Sequence, residues 1–279
     1  QERPRGWRKC DRARWSCPSF GSETLAAALQ LCQSWGKTIA RDRIFAIPAA
    51  FPACQFALES ALAALEKDPQ ASEPELAPWQ FCHLLPAGAA ALGAWEMGWS
   101  AGARTFKWKI GVAAPRTELQ ALQALLTALP TTAKLRLDAN GGLDIATART
   151  WLEACDRANG RIEFCEQLLP PCCFDDLQQL ATHYRTPLAL DESVATLQQL
   201  EACYARGWRG IYVIKAAIVG SPQRLRRFCQ ERALATVFSS VFEGEIGRQA
   251  ALSLATELGS PHYALGFGTQ HWLVPTAAF

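Results

Sequence analysis

The feature that most constrains the fold is a series of short apolar segments that alternate with helical stretches between residues 81 and 268. Segments with this length and these residue types are typical of buried strands. Alternation of strand and helix indicates parallel βα units, and eight of them favour a closed α/β barrel over an open doubly wound sheet. Periodicity alone leaves the open sheet as an alternative. The eight segments are FCHLLPAG, TFKWKIGV, AKLRLDAN, RIEFCEQ, TPLALDES, GIYVIKAA, LATVFSSV and HYALGFG.

The first 80 residues have a different pattern, and we expect them to form a separate, helical part of the protein. The stretch ETLAAALQLCQSWG, which ends at Gly36, predicts an amphipathic helix closed by glycine. Residues 51–65 predict a second helix. Residues 67–78 contain three prolines among polar residues and predict a loop or a domain boundary. The barrel is therefore expected to span residues 81–266.

Charge and composition favour a cytoplasmic protein that acts on a small molecule. The net charge of +2 creates no strong field, so neither nucleic acid nor a membrane is expected as a partner. The arginine-rich residues 3–14 are expected to form an exposed terminus. No apolar run approaches the roughly 20 residues of a membrane helix. The 11 cysteines are odd in number and lack C-x-x-C spacing, which predicts reduced thiols. The sequence leaves the oligomeric state open.

Five ionisable residues stand near the ends of successive predicted strands, one βα unit apart. A single charged residue at a strand end is more often a loop cap or a salt-bridge partner. Five charged residues that recur at the same position in successive βα units instead indicate an active site, because barrel active sites are built where the carboxyl ends of the strands meet. The five residues are Lys109, Asp138, Glu166, Asp191 and Lys215.

Alternation along the strands assigns neighbouring charges to one face or the other. Lys107 shares a face with Lys109, and Arg136 shares a face with Asp138. Glu163 stands at an odd spacing from Glu166 and is expected to point outward. These shared faces support the register that aims the strand-end residues at the barrel mouth.

The three carboxylates predict a site for Mg²⁺, with Mn²⁺ as a possible substitute, because hard cations prefer oxygen ligands. The two lysines flank the acids in sequence, so a closing barrel should place them on opposite sides of the ion. A carboxylate bound to Mg²⁺ makes the neighbouring carbon easier to deprotonate. A partly desolvated lysine near other positive charge can accept that proton.

Several motifs that contain these residues resemble the enolase superfamily, in its muconate-lactonizing subgroup. Within that subgroup they are most similar to the o-succinylbenzoate synthase family of cyanobacterial type. The phrases FGSETLAAAL, LLPAG, FSSVFEGEIGRQAAL and ALGFGTQHW strengthen the likeness, which extends over roughly residues 18–275. The motifs are KWK at 107–109, LRLDAN at 135–140, EFCEQ at 163–167, LALDES at 188–193 and VIKAA at 213–217.

The resemblance implies a modified TIM barrel, (β/α)7β, with a smaller α+β capping domain toward which residues 267–279 pack back. Residues 1–17 do not resemble the sheet with which the family's capping domain begins, so residues 1–80 are expected to be a shortened remnant of it. The implied catalytic residues are Lys109 as acid and base and Lys215 as the opposing cation. The implied metal ligands are Asp138, Glu166 and Asp191.

Further roles follow from the same resemblance. Lys107, Asn140 and Glu192 are expected to act on the catalytic groups by charge or hydrogen bonding. The expected substrate contacts are Arg136, Ser239, Ser240, Gly266 and Gly268.

The resemblance also implies a reaction, the Mg²⁺-dependent syn-dehydration of 2-succinyl-6-hydroxy-2,4-cyclohexadiene-1-carboxylate to o-succinylbenzoate, on the route to menaquinone or phylloquinone. Lys109 would remove the proton next to the ring carboxylate and then assist loss of water, while Lys215 would stabilise the enediolate. Two alternatives stay open: a racemase or epimerase of N-acylamino acids or dipeptides, and a barrel retained as a binding or structural protein.

Overall fold

The computed structural model describes residues 23–66 and 79–268. Its eight strands are parallel and form one sheet in the order β7-β6-β5-β4-β3-β2-β1-β8. A single bridge between Ser239 and Gly266 joins the two ends of the sheet, so the closed-barrel prediction is confirmed over the open sheet. The strands are β1 (Phe81–Leu84), β2 (Thr105–Lys109), β3 (Lys134–Asp138), β4 (Ile162–Glu166), β5 (Leu188–Leu190), β6 (Ile211–Ile214), β7 (Ala235–Phe238) and β8 (Leu265–Gly268).

Helices surround the barrel, and at least one follows each of the first seven strands, which gives the predicted (β/α)7β order. Short 3-10 turns occur at Gly88–Ala90, Pro171–Cys173 and Glu192–Val194. The helices are α1 (Leu25–Ser34), α2 (Arg41–Phe45), α3 (Pro52–Glu66), α4 (Ala91–Ser100), α5 (Pro115–Ala128), α6 (Ile145–Arg157), α7 (Phe174–His183), α8 (Leu197–Ala205), α9 (Ala216–Val219), α10 (Pro222–Gln230) and α11 (Glu245–Leu258).

The two helices predicted before the barrel are confirmed as α1 and α3, and the short α2 was not predicted. β8 continues through Gly268, two residues beyond the expected end of the barrel. Predictions for the arginine-rich start, the proline-containing loop and the segment after Gly268 lie outside the described residues. The cysteines within the described ranges are free thiols, as predicted. In the same ranges, no helix has the length and apolar character needed to cross a bilayer.

The strand faces separate an outer apolar layer from a partly charged barrel interior. Trp108 points outward and packs edge-on against Trp151 of α6, with ring centroids 6.2 Å apart. These two side chains are fully buried, as expected for the layer between sheet and helices. The interior holds a smaller apolar cluster made of Phe164, Ala189, Ile211, Val213 and Val237.

Arg136 and Glu163 form an ion pair within the barrel, 2.5 Å apart. The expectation that Glu163 points outward is wrong, because β4 has a bulge: the register with β3 skips from Ile162 to Phe164. A bulged residue leaves the regular alternation of faces. The guanidinium of Arg136 lies over the Phe164 ring, 4.7 Å from its centroid, so the pair rests on the interior apolar cluster.

A buried carboxylate adds polar contacts to the apolar packing of helix α3, whose Phe56 belongs to the main core. Glu59 is 5% exposed and accepts hydrogen bonds from the Ser221 hydroxyl (2.9 Å) and the Gln223 backbone N–H (3.1 Å). Gln55, one turn earlier in α3, donates to its other oxygen at 3.0 Å. Because Ser221 and Gln223 begin α10, Glu59 holds the small helical part against the sixth βα unit.

We expect Glu59→Ala to lower the free energy of unfolding by about 2–3 kcal/mol, because it leaves the Ser221 hydroxyl and the Gln223 N–H without their acceptor. Glu59→Gln keeps one oxygen and should cost less. Urea denaturation followed by circular dichroism measures both. The exposed Glu66→Ala is the control, with an expected change below about 0.5 kcal/mol. Equal destabilisation by the Glu59 and Glu66 variants would contradict this role.

Candidate active site

The strand-end charges meet at the carboxyl ends of β2 to β6. Lys109, Asp138 and Glu166 lie side by side in register on β2, β3 and β4. Asp191 and Lys215 follow the last residues of β5 and β6, each further along its strand than the register alone would place it. Strands in a barrel tilt and stagger, so this forward step keeps the five groups at one rim.

Lys107 and Lys109 neutralise the buried acids of β3 and β4. The Lys107 Nζ lies 2.8 Å from Asp138 Oδ2 and 2.6 Å from Glu166 Oε1. The Lys109 Nζ lies 2.6 Å from Asp138 Oδ2 and donates to Asn140 Oδ1 at the same distance. Asp138 is fully buried, so its carboxylate depends on these ammoniums for charge balance, and Glu166, which is 2% exposed, lies against the Lys107 ammonium.

Asn140 joins this network to the second acidic group. Its side-chain N–H donates to Glu192 Oε1 at 2.9 Å, and its backbone N–H donates to Asp138 Oδ1 at 2.9 Å. The residue has a φ of +44°, an unusual conformation in which asparagine is among the better tolerated residues. The turn after β3 therefore presents Asn140 to Lys109 on one side and to Glu192 on the other.

Lys215 pairs with Asp191 on the opposite side of the rim. Its Nζ lies 2.6 Å from Asp191 Oδ1 and donates a hydrogen bond to Oδ2 at 2.7 Å. The ion-pair contact with Lys215 is what Asp191 Oδ1 has in place of a conventional hydrogen bond, and Glu192 Oε2 is a buried oxygen that accepts no hydrogen bond from the described residues. A buried oxygen of this kind remains able to bind a further donor or a cation.

Charge and burial shift the ionisation of the central groups in different directions. Burial acts to lower the pKa of Lys107, but the nearby carboxylates, Asp138 and Glu166 foremost, raise it above the usual lysine value. Burial acts to raise the pKa of Asp138, yet the Lys107 and Lys109 ammoniums hold it well below its usual range. Burial, reinforced by the charge of Asp138, raises the pKa of Glu166 to about 8 although Lys107 opposes this.

A cavity of about 370 Å³ opens at this rim. Lys107, Lys109, Asn140, Asp191 and Lys215 line one part of it. The lining also includes three residues expected to contact substrate: Ser239, Ser240 and Gly266. Asp138 and Glu166 lie beneath the lysines. One cavity thus brings together Lys109, Lys215 and Asp191.

The cavity is also lined by residues that the sequence analysis did not single out: Cys82, Leu84, Ile218, Val241 and Phe242. Cys82 and Leu84 are two residues apart on β1 and therefore share a face, so assigning the faces of that strand would have identified them. Val241 and Phe242 follow the serine pair after β7, at a position where barrel loops build active sites.

The turn after β7 is held by its own side chains. The Ser240 hydroxyl accepts from the Phe242 N–H at 2.9 Å and donates to Glu243 Oε2 at 3.1 Å. Phe242 adopts a φ of +63° and is 54% exposed at the cavity. A positive φ is strained for a bulky residue and persists only where surrounding contacts fix it.

Arg136 and Gly268, both predicted to contact substrate, lie outside the cavity. Arg136 is one layer deeper than Asp138, and its guanidinium is bound by Glu163 and by the Ala264 carbonyl at 2.8 Å. A Cβ at Gly268 would collide with the Cys82 carbonyl, so close packing of β8 on β1 explains that glycine. Gly266 faces a similar restriction from Ser239 but does reach the cavity.

The donor chemistry of the rim fits a hard cation. Asp138, Glu166 and Asp191 offer only carboxylate oxygens, and no cysteine or histidine takes part in their contacts. Each of these acids is balanced by a lysine, and a cation bound there would share the carboxylate oxygens with the lysine ammoniums. As the side chains stand in the described residues, no three acids, histidines or cysteines are grouped closely enough to hold a metal ion. The lysine ammoniums supply the positive charge there.

The fold and the charged rim together define the class: a parallel barrel of enolase type with its ionisable groups at the carboxyl ends of the strands. Residues 89–276 match the family model described as Enolase C-terminal domain-like. The o-succinylbenzoate synthase of Thermosynechococcus vestitus (strain NIES-2133 / IAM M-273 / BP-1) is 44% identical over 260 residues, which cover 91% of this chain and 79% of that protein. The chain belongs to the o-succinylbenzoate synthase family of the enolase superfamily.

Solved structures agree with this assignment. The o-succinylbenzoate synthase from Thermosynechococcus elongatus BP-1, complexed with Mg in its active site, superposes with a TM-score of 0.81 at 43% identity, covering 90% of this chain and 78% of that one. The L-Ala-D/L-Glu epimerase from Bacillus subtilis superposes with a TM-score of 0.75 at 18% identity, covering 93% and 78%. The second likeness shows a shared fold.

In the presence of chelator, we expect stability to fall as pH rises from 4.5 to about 8, the interval between the usual and the raised pKa of Glu166. In this interval the folded protein retains a proton that the unfolded chain releases, so rising pH favours unfolding, by up to roughly 1.4 kcal/mol per pH unit. Urea midpoints across this range measure the slope. Glu166→Gln should flatten it and the exposed Glu66→Gln should not. If the urea midpoints of wild type and Glu166→Gln changed in parallel with pH, a raised pKa of Glu166 would be excluded as the cause.

Proposed function

We propose that this chain catalyses the Mg²⁺-dependent syn-dehydration of 2-succinyl-6-hydroxy-2,4-cyclohexadiene-1-carboxylate to o-succinylbenzoate. The observation that carries the proposal is that Lys109 and Lys215 line the same cavity, each paired with an acid at the barrel rim. Similarity to o-succinylbenzoate synthase at 44% identity supports this choice of reaction among those that one barrel can host.

Lys109 is the proposed acid and base. Asp138 and Asn140 fix its ammonium by two hydrogen bonds of 2.6 Å each, and its side chain is 32% exposed toward the cavity. In the reaction its amine removes the proton from the carbon next to the ring carboxylate. It then returns a proton to the departing hydroxyl, which leaves as water on the same face. The C–H and C–O bonds break while the new double bond completes the aromatic ring.

Lys215 is the proposed electrostatic partner and stays protonated. Its salt bridge with Asp191 keeps the ammonium at the rim, with the side chain 15% exposed. A cation held near the substrate ring stabilises the negative charge that develops there. It does so more strongly than water would, because the surrounding protein is less polar. Lys107 is buried between two acids and has a raised pKa, so it is proposed as a fixed charge that takes no part in proton transfer.

Asp138, Glu166 and Asp191 are the residues proposed to hold Mg²⁺. When bound, the ion supplies Lewis-acid stabilisation for the negative charge that develops on the substrate carboxylate. The solved relative that contains Mg in its active site supports this choice of ion. Asn140 and Glu192 are proposed to orient the lysine and the acids.

The remaining substrate contacts are proposed on the β7 and β8 side of the cavity, at Ser239, Ser240 and Gly266. Arg136 and Gly268 are assigned to the interior of the barrel and to strand packing. We place the reaction in the cytoplasm, on a route to menaquinone or phylloquinone. Residues 1–80 are proposed as a capping domain over a barrel that starts at residue 81.

Lys109→Ala should lower kcat at least about 1,000-fold, because one group supplies both the base and the acid. Lys215→Ala should lower kcat as well, and Lys215→Arg should recover part of the loss by restoring the charge. The formation of o-succinylbenzoate is followed by absorbance. Lys134→Ala, which changes a lysine at the opposite end of β3, is the matched control and should leave turnover unchanged.

Turnover by Lys109→Ala near the wild-type rate would exclude the assigned base. Deuterium exchange at the α-carbon of an N-succinylamino acid tests the epimerase alternative. Exchange that requires both Lys109 and Lys215, without turnover of the dienecarboxylate, would favour epimerase chemistry over dehydration.

Removing the metal should abolish activity. EDTA followed by desalting is expected to stop product formation, and added Mg²⁺ should restore it, because three carboxylates cannot supply the Lewis acid themselves. Mn²⁺ should restore activity too, whereas Zn²⁺ should not, since the three proposed ligands are carboxylates and include neither histidine nor cysteine. Product formation that persists in excess EDTA would contradict a metal-dependent mechanism.

A further inference from the structure

We infer that Gln167 is a positioning residue that sets the relation between the candidate metal ligands Glu166 and Asp191. This inference deepens the proposed function and rests on it. Gln167 follows Glu166 directly and is fully buried, although it carries a polar amide. A buried amide is costly unless its hydrogen bonds are satisfied, so its contacts show what it holds together.

Both ends of the Gln167 amide are fully used. Its Oε1 accepts from the Asp191 N–H at 2.9 Å and from the Ser193 N–H at 3.1 Å. Its Nε2 donates to the Leu169 carbonyl at 2.9 Å and to the Ser193 hydroxyl at 2.8 Å. An amide has one oxygen that can accept two hydrogen bonds and one nitrogen that can donate two, which matches these four contacts. The side chains of glutamate and methionine cannot make all four.

The backbone of Gln167 is fixed as firmly as its side chain. Its N–H donates to the Ala189 carbonyl of β5 at 2.9 Å, and its carbonyl accepts from the Gly141 N–H at 2.6 Å. The residue holds a φ of +36°, which is rare for glutamine. Strained conformations persist where the surroundings over-determine them, and they cluster at functional sites.

These contacts place Gln167 between three strand ends that supply the rim. Glu166 is its covalent neighbour on β4, and Asp191 is held through its own backbone N–H at the end of β5. Gly141 belongs to the turn after β3, next to Asn140, which binds Lys109. The ladder between β4 and β5 pairs Cys165 with Leu188 and Glu166 with Ala189, so it ends two residues before Asp191. The Gln167 amide adds a contact beyond the ladder, between the strand ends that carry the Glu166 and Asp191 carboxylates.

The test measures Mg²⁺ affinity by calorimetry in the absence of substrate. Gln167→Met keeps the volume but removes all four side-chain hydrogen bonds, and it should weaken Mg²⁺ binding at least about tenfold, as loss of residues that orient ligands does. A wild-type affinity in Gln167→Met would overturn the inference.

Asp156→Ala is the matched control for stability. Asp156 accepts from the Arg185 and Thr186 backbone N–H groups and from the Thr186 hydroxyl, at the opposite end of β5. Its loss should lower the melting temperature while leaving Mg²⁺ affinity within about twofold of wild type. Equal weakening by Asp156→Ala and Gln167→Met would overturn the inference, since stability alone would then explain both.

Two further outcomes separate the inference from the function on which it rests. If Gln167→Met does not fold, Ser193→Ala removes one partner of the amide and should weaken Mg²⁺ at least about twofold; an unchanged affinity would overturn the inference. Wild-type protein that binds Mg²⁺ but forms no o-succinylbenzoate overturns the proposed function alone. Wild-type protein that binds no Mg²⁺ overturns both.

Discussion

The structure depends on the burial of carboxylates at the ends of adjacent strands with lysines to balance them. Asp138 and Glu166 are almost completely removed from water, and Lys107 lies within 2.8 Å of both. Breaking a buried pair of this kind is costly, because the charge left behind has no partner. The strand register that brings Lys109, Asp138 and Glu166 level with one another is therefore inseparable from the charges it aligns. Any shift of one strand would separate an acid from its ammonium.

Two walls of the cavity are built differently. On the side of β2 to β6, side chains project from strand ends and are locked by ion pairs. On the side of β7, a turn held by Ser240 and Glu243 presents Phe242 with a strained backbone. Residues on regular strands hold position more accurately than residues in turns. The cavity therefore has one wall of charged side chains on strand ends and one wall formed by a turn.

The sequence was enough to predict the barrel and the residues at its rim, because both follow from local periodicity. Alternation of faces correctly placed Lys107 and Lys109 inside and needed no knowledge of other strands. Glu163 was misassigned because a bulge is defined by the pairing of β4 with β3, which the sequence of one strand does not contain. The positions of Arg136 and Gly268 outside the cavity were not foreseen for a similar reason: the Ala264 carbonyl and the β1 backbone that surround them are remote in sequence. The Gln167 amide was overlooked because its partners come from the next strand end.

The closure of the barrel is uneven, and this has an evolutionary consequence. Four residue pairs join β6 to β7, whereas one bridge, Ser239 with Gly266, joins β7 to β8. Mutations that widen or reshape this seam disturb little of the backbone ladder, while Lys109 and Lys215 stand at the ends of strands that are paired on both sides. Sequence change can therefore accumulate at the seam, where it alters the shape of the cavity wall, with less disturbance of the strands that carry Lys109 and Lys215.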